Sequence, residues 1–338
     1  MKRIFIFTLI TGLLIIGSLI LIFKPYDDEY TGLDNHVSIN SNDERIAFSY
    51  YKNGSASIYT TKTDGTNLIK LATAKKQYSH LSPIYSSDDS KIFYIKTPNN
   101  KKKLMSSICV MNENGKNDHK ILEVDGLITE IILSTNNQKI FILKARTYKH
   151  YSPIASTAPH EYDIFSVDIN GKNLKQLTFI KEYQLKNLNI TKDGNTLIFN
   201  RSDEVGNNIS TISLNALNNP ISILSIKDYG TIEKNDTIGD IKLSPDNNSI
   251  AFSAVAKSLS PFEYELYTMD IKTRRAKQLT SLRLSANSPT YYHKSDKLLF
   301  FKYTNWPDVS PAYELYLINT DGTNMNKISI DIPLTTHD

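Results

Sequence analysis

A ten-residue pattern returns six times along the chain and restricts the fold more than any other feature. The copies are "NSNDERIAFS" (40–49), "SSDDSKIFYI" (86–95), "STNNQKIFIL" (134–143), "TKDGNTLIFN" (191–200), "SPDNNSIAFS" (244–253) and "YHKSDKLLFF" (292–301), and they align without gaps. The third position is Asn42, Asp88, Asn136, Asp193 and Asp246, and breaks only at Lys294. An Asn or Asp side chain bonds the backbone two residues on and tolerates left-handed geometry, so this position closes a short hairpin. The aliphatic residues that open the next strand are Ile46, Ile92, Ile140, Leu197, Ile250 and Leu298.

Each copy continues in the same way. A further strand follows, such as "SIYTT" (57–61) or "ELYTM" (265–269), and then a second turn. Four of these turns are "DGTN" (64–67), "NGKN" (114–117), "NGKN" (170–173) and "DGTN" (321–324). Asp-Gly and Asn-Gly suit tight hairpins whose central residues need positive φ. Repeats four and five have "NALN" and "KTRR" there, so longer or distorted turns are expected. A last strand closes each unit and often carries Lys (Lys70, Lys120, Lys175, Lys277, Lys327). Lys at that position protects an outer edge from pairing with another chain. A first strand, as in "NHVSIN" (35–40) or "DIKLS" (240–244), precedes every ten-residue pattern. Four short strands in about 50 residues, repeated, describe propeller blades. One such sheet cannot bury both faces alone, whereas sheets set radially bury them against each other. The expected fold is all-β, a six-bladed β-propeller of four-stranded antiparallel blades over residues 35–330, with a C-terminal tail at 331–338.

The run Ser-Pro-Asp-x-x-x-Ile-Ala-Phe, then Leu-Tyr-x-Met-Asp, Asp-Gly-x-Asn and Leu-Thr, resembles the TolB-type, WD40-like β-propeller repeat. The resemblance covers essentially all of residues 35–330. It implies a protein-binding scaffold, and in some relatives an accessory domain of peptidases or polysaccharide lyases. The extra N-terminal α/β domain of TolB itself has no visible counterpart, and an apolar segment stands in its place.

That segment, "IFIFTLITGLLIIGSLILIF" (4–23), holds 20 residues without a charge. As a helix it would span about 30 Å, the thickness of a bilayer core. Lys2 and Arg3 precede it, and Lys24 and the acidic "PYDDEY" follow. The positive-inside rule puts the bulk of the chain outside the cytoplasm. The run exceeds a signal-peptide core and lacks a small-x-small cleavage site, so an uncleaved signal anchor over residues 1–23 is expected, with a linker at 24–34. A cleaved signal peptide is the alternative, and both place the propeller on the extracytoplasmic side of the cell membrane.

Function is fainter. The net charge of +4 on 338 residues implies no nucleic-acid partner. Cys109 is the single cysteine, so neither an internal disulfide nor a cysteine metal site is available, and its apolar surroundings suggest a buried small hydrophobe. No Gly-x-Ser-x-Gly elbow, His-Glu-x-x-His or phosphate-binding glycine loop occurs. No catalytic residue, metal ligand or cofactor is assigned.

Loops between strands two and three vary most, and a rigid scaffold usually carries function on such loops. They are 96–107, 144–162, 254–264 and 302–313. Asp163, Glu265 and Glu314 stand just before strand three as a partial ring of acids for a cation or basic peptide, or as ties to their own loops. Lys101, Lys102, Lys103, Arg146, Lys149 and His150 could meet an anionic envelope polymer or lipid headgroups, or be solvated loop charges. Trp306 could stack a sugar or anchor a partner, or pack within its loop. The expectation is a binding scaffold for a protein, peptide or envelope polymer. The alternative is a propeller-based hydrolase or polysaccharide lyase with a metal-assisted site in the central funnel.

Overall fold

In the computed structural model, the residues described are 30–100, 104–150, 157–203, 206–233, 238–257, 263–305 and 312–332. The apolar segment 4–23, Lys101, Lys102, Lys103, Trp306 and the tail beyond Ile332 lie outside them. No helix long and apolar enough to cross a membrane occurs among the described residues.

Every described element is a strand. The chain opens with β1 (Gly32–Ile39), β2 (Arg45–Lys52), β3 (Ser55–Lys62) and β4 (Ile69–Ala72) in one antiparallel sheet. The second sheet is β5 (Tyr78–Tyr85), β6 (Lys91–Pro98), β7 (Met105–Asn112) and β8 (His119–Asp125). The third is β9 (Leu127–Leu133), β10 (Lys139–His150), β11 (Thr157–Asp168) and β12 (Lys175–Gln176), and the fourth is β13 (Gln184–Ile190), β14 (Thr196–Asp203), β15 (Gly206–Ser213) and β16 (Ser222–Ile223). The remaining strands are β17 (Gly239–Leu243), β18 (Ser249–Val255), β19 (Tyr264–Asp270), β20 (Ala276–Gln278), β21 (Ser285–Tyr291), β22 (Lys297–Tyr303), β23 (Tyr313–Asn319) and β24 (Asn326–Ile328). They form two antiparallel quartets, joined into one eight-stranded sheet by the parallel pair Tyr264 and Ser285.

The repeated turn works as the side-chain chemistry requires. Asn42, Asp88, Asn136, Asp193 and Asp246 each accept a hydrogen bond at Oδ1 from the backbone N–H two residues on, at 3.0–3.2 Å. The next residue, at Asp43, Asp89, Asn137 and Asn247, is left-handed, with φ of 54–67°. Three of these side chains reach the preceding sheet. Asp89 accepts Ser41 N and Oγ at 2.7 and 2.8 Å, and Asn137 accepts Ser87 N at 3.3 Å. Asp43 accepts His293 N and Lys294 N, at 2.7 and 2.9 Å, across some 250 residues of sequence. The last quartet is thus clasped to the first by the device used between consecutive sheets.

Packing tells the same story. Strand two of each repeat is a buried apolar run, as in Ile46, Ala47 and Phe48 or Leu298 to Phe301, all at 0% exposure. The apolar clusters each fall between neighbouring quartets, and one joins Val37, Ile46 and Phe48 of the first to Leu299, Phe301 and Leu315 of the last. Ile330 and Ile332 pack onto that closing cluster. The first strands touch in turn, with β1 against both β5 and β21, so they form the inner wall of a ring. The fourth strands are the exposed outer edge, where Lys70, Lys120, Lys175, Lys277 and Lys327 stand. Cys109 is buried in β7.

Two expectations are adjusted. The segment 144–162 is not a loose loop: β10 and β11 run on as a hairpin, paired from Lys139 with Asp168 to His150 with Thr157. The first strand also begins before residue 35, at Gly32. Gly54 N donates to Tyr30 O at 2.9 Å and Asn53 N to Thr31 Oγ1 at 3.1 Å, which fixes the entering chain beside the β2–β3 turn.

Candidate functional site

Within each sheet the strands alternate direction. The loops joining strands two and three, the connections from one sheet to the next, and the start of β1 therefore share one end of the ring, here called the top.

The acids expected at the channel mouth sit elsewhere. Asp163 and Glu265 are wholly buried on strand three, away from the inner wall. Asp163 accepts Thr178 Oγ1 at 3.0 Å, Ile180 N at 2.8 Å and Gln176 Nε2 at 3.1 Å, and pairs with Arg146 at 3.3 Å. Glu265 accepts Thr280 Oγ1 at 2.6 Å and Arg283 N at 2.8 Å. The same threonines accept Ile164 N and Leu266 N at 2.9 and 2.8 Å. Each carboxylate therefore ties strand three to the connection leaving its own sheet. Glu314 pairs at the surface with Lys327 at 2.6 Å, which lowers its pKa. Lys149 pairs with Glu161 at 2.8 Å, and His150 ends β10 beside it, exposed. Asp163 and Arg146 are brought together; Glu265 and Glu314 belong to other sheets.

A different set meets at the axis. Every first strand loses register with strand two at about the same place, a β-bulge. The residue four places before each repeated turn falls there: His36, Ser82, Glu130, Asn187, Asp240 and Ser288. Four of them, Ser82, Asn187, Asp240 and Ser288, take positive φ of 48–56°. A bulge re-aims side chains and is common beside functional sites. Lys242 of β17 influences both His36 of β1 and Glu130 of β9, so residues of alternate sheets converge. Burial drives His36 down to about 3, helped by the Lys242 charge. Burial pushes Glu130 up to about 7 against the pull of Lys242, and holds Lys242 below the ordinary ammonium range. Lys186 and Asp240 face each other at 3.9 Å nearby.

The wall itself is sewn by side chains, because neighbouring first strands do not ladder. Tyr85 N donates to Ser38 Oγ at 3.1 Å, Leu188 N to Glu130 Oε1 at 2.7 Å, and Leu243 N to Asn189 Oδ1 at 3.0 Å. His36 Nδ1 and Asn187 Oδ1 are buried without a hydrogen-bond partner among the described residues. Sequence reasoning passed over this set because it read forward from each turn. The signal lay four residues upstream in the same gapless alignment.

Among the described residues no group of three or more His, Cys, Asp or Glu side chains is placed to hold a metal. A separate groove of about 270 Å³ on the second sheet is lined by Tyr78, Lys96, Lys120 and Glu123, with Lys96 over the Tyr78 ring at 4.9 Å.

TolB from Acinetobacter baumannii superposes with a TM-score of 0.64, at 18% identity over 86% of this chain. The fold is a TolB-like β-propeller. This TolB-like chain spans 65% of the A. baumannii TolB chain. An oligogalacturonate lyase solved with manganese aligns with a TM-score of 0.59, at 12% identity, over 91% of this chain and 81% of the lyase. A chain of a nidogen–laminin complex aligns with a TM-score of 0.55, at 10% identity, over 80% of this chain and 89% of that one. No family model and no curated protein matches the sequence.

Proposed function

We propose that the chain is a six-bladed, extracytoplasmic propeller, held at the cell membrane by residues 4–23, that binds a protein or peptide, or an anionic envelope polymer, at its top face and channel. The observation that carries this reading is the convergence of Lys242, Glu130 and His36 at the axis. By solvent area all three are half-buried, facing the channel rather than sealed from it, yet each is desolvated at a cost that apolar side chains would avoid. Groups kept there at a cost are a candidate for recognition. The hairpin of β10 and β11, with Arg146, Lys149 and His150, extends the top face. A relative of this fold was solved as a nidogen–laminin complex, which supports a scaffold.

The lyase reading has its own support in the manganese-bound oligogalacturonate lyase. The described residues offer no matching ligand group, so no step is assigned to a metal. The test compares the purified chain with Lys242→Met and Glu130→Gln as bait for envelope proteins and polymers, alongside metal analysis. A partner held by the native chain and lost by both variants, with thermal unfolding intact, is expected. Retention by both variants removes the axial site from recognition, and stoichiometric bound metal moves the assignment to an enzyme.

A further inference from the structure

Where the chain enters the ring determines which face can meet a bilayer. Residues 30 and 31 are already tied to the top by Gly54 N and Asn53 N. The strand they lead into, β1, belongs to the inner wall. If residues 4–23 lie in the membrane, as proposed above and on which this inference rests, only residues 24–29 join them to the ring. Six residues reach at most about 20 Å. To bring the opposite face to the bilayer, that tether would have to cross a four-stranded sheet and descend a strand, a path of roughly 40 Å from the inter-strand spacing and the rise per residue. The tether is about half as long as the detour.

The top carries what a lipid surface would engage. Phe179 is 77% exposed and Ile180 37%, side by side on the connection from β12 to β13. Large apolar side chains this open call for a partner when they sit together at a rim of charge. Lys181 follows them, and Lys75 and Lys76 stand exposed on the first such connection. The opposite end carries the repeated turns with Asp88, Asp193 and Asp246, and the tight turns with Asp64 and Asp321. Exposed Lys116, Lys172, Lys192, Lys272 and Arg275 share those turns, so charge alone does not choose between the ends, and the tether and the apolar pair do. We propose that the propeller rests with its top face on the bilayer, Phe179 and Ile180 entering the interface and the lysines lying among the headgroups.

The test uses the full chain in vesicles containing anionic lipid. Cys109 is buried, so an environment-sensitive fluorophore can be placed at Phe179→Cys on the top or at Asn114→Cys on the far turn. Brominated lipids should quench the label at 179 several-fold more than the label at 114. A chain that floats with the vesicles after a high-salt wash but shows equal or reversed quenching overturns the orientation while leaving the anchor standing. A chain that floats with neither label quenched overturns lipid contact and points to a protein partner for Phe179. A chain that does not float overturns both the anchor and the inference built on it.

Discussion

Asp163 and Glu265 carry a full load of donors inside the ring, and their substitution reads out that load. Replacing Glu265 with Gln exchanges one acceptor oxygen for a donor facing Thr280 Oγ1 or Arg283 N. A buried, charge-assisted bond lost in this way costs about 2 kcal/mol. Glu314→Gln, at a half-exposed surface pair, should cost under about 1 kcal/mol. Urea unfolding of the two variants checks the contrast. Glu130 gives a pH signature. Its pKa is raised from 4.5 to about 7, so between these values the folded chain holds a proton that the unfolded chain has released. Stability contributed by the protonated form is complete below 4.5 and is lost as pH rises through 7, at up to about 1.4 kcal/mol per unit. Glu130→Gln keeps an acceptor for Leu188 N and abolishes that slope. The variant should gain on the native chain from pH 4.5 to 7, measured by denaturant midpoints. His36 acts in the reverse sense, losing stability below 6.5, but it does so in both proteins and cancels.

Sheet contacts are set by turns as much as by apolar faces. Gly171, at φ 82°, packs so closely on the preceding sheet that a Cβ would collide with the Ile121 carbonyl, and Gly65 meets Ser329 in the same way at the closing seam. Gly171→Ala should combine left-handed strain with backbone collision and cost about 3 kcal/mol or more, visible as a lowered melting temperature. The repeated Asx-Gly pairs showed in the sequence, as did the Asx turns, because local chemistry dictates both. The missing glycines of repeats four and five predicted longer or distorted turns: eight residues separate β15 from β16, whereas β19 and β20 are separated by only five, with Arg274 left-handed at φ 62°. Side-chain direction was not legible. Asp163 and Glu265 stand beside variable loops in the sequence, yet whether a strand-three carboxylate points at the axis or at its own connection depends on where the neighbouring sheet lies. The hairpin at 144–162 was hidden for a related reason, since "SPIASTAP" reads as a breaker cluster and masks the paired residues on either side.

Around the whole ring, the closing seam is not privileged. The seam between last and first quartets has the Asp43 clasp, the contact of β1 with β21 and the apolar cluster of Phe48 and Phe301, all of kinds found at other seams. Asp43→Ala and Asp89→Ala should therefore lower the melting temperature by similar amounts, as a single transition, in scanning calorimetry. A much larger drop for Asp43 would mean that closure is special. The junction of first and last quartets is held like the others, and among the described residues no strand is lent across it, so sequence order and spatial order are separable. A gene rearranged to start at β5 and to run through a short bridge from β24 into β1 should encode the same circle, with its new ends at a seam of the same make.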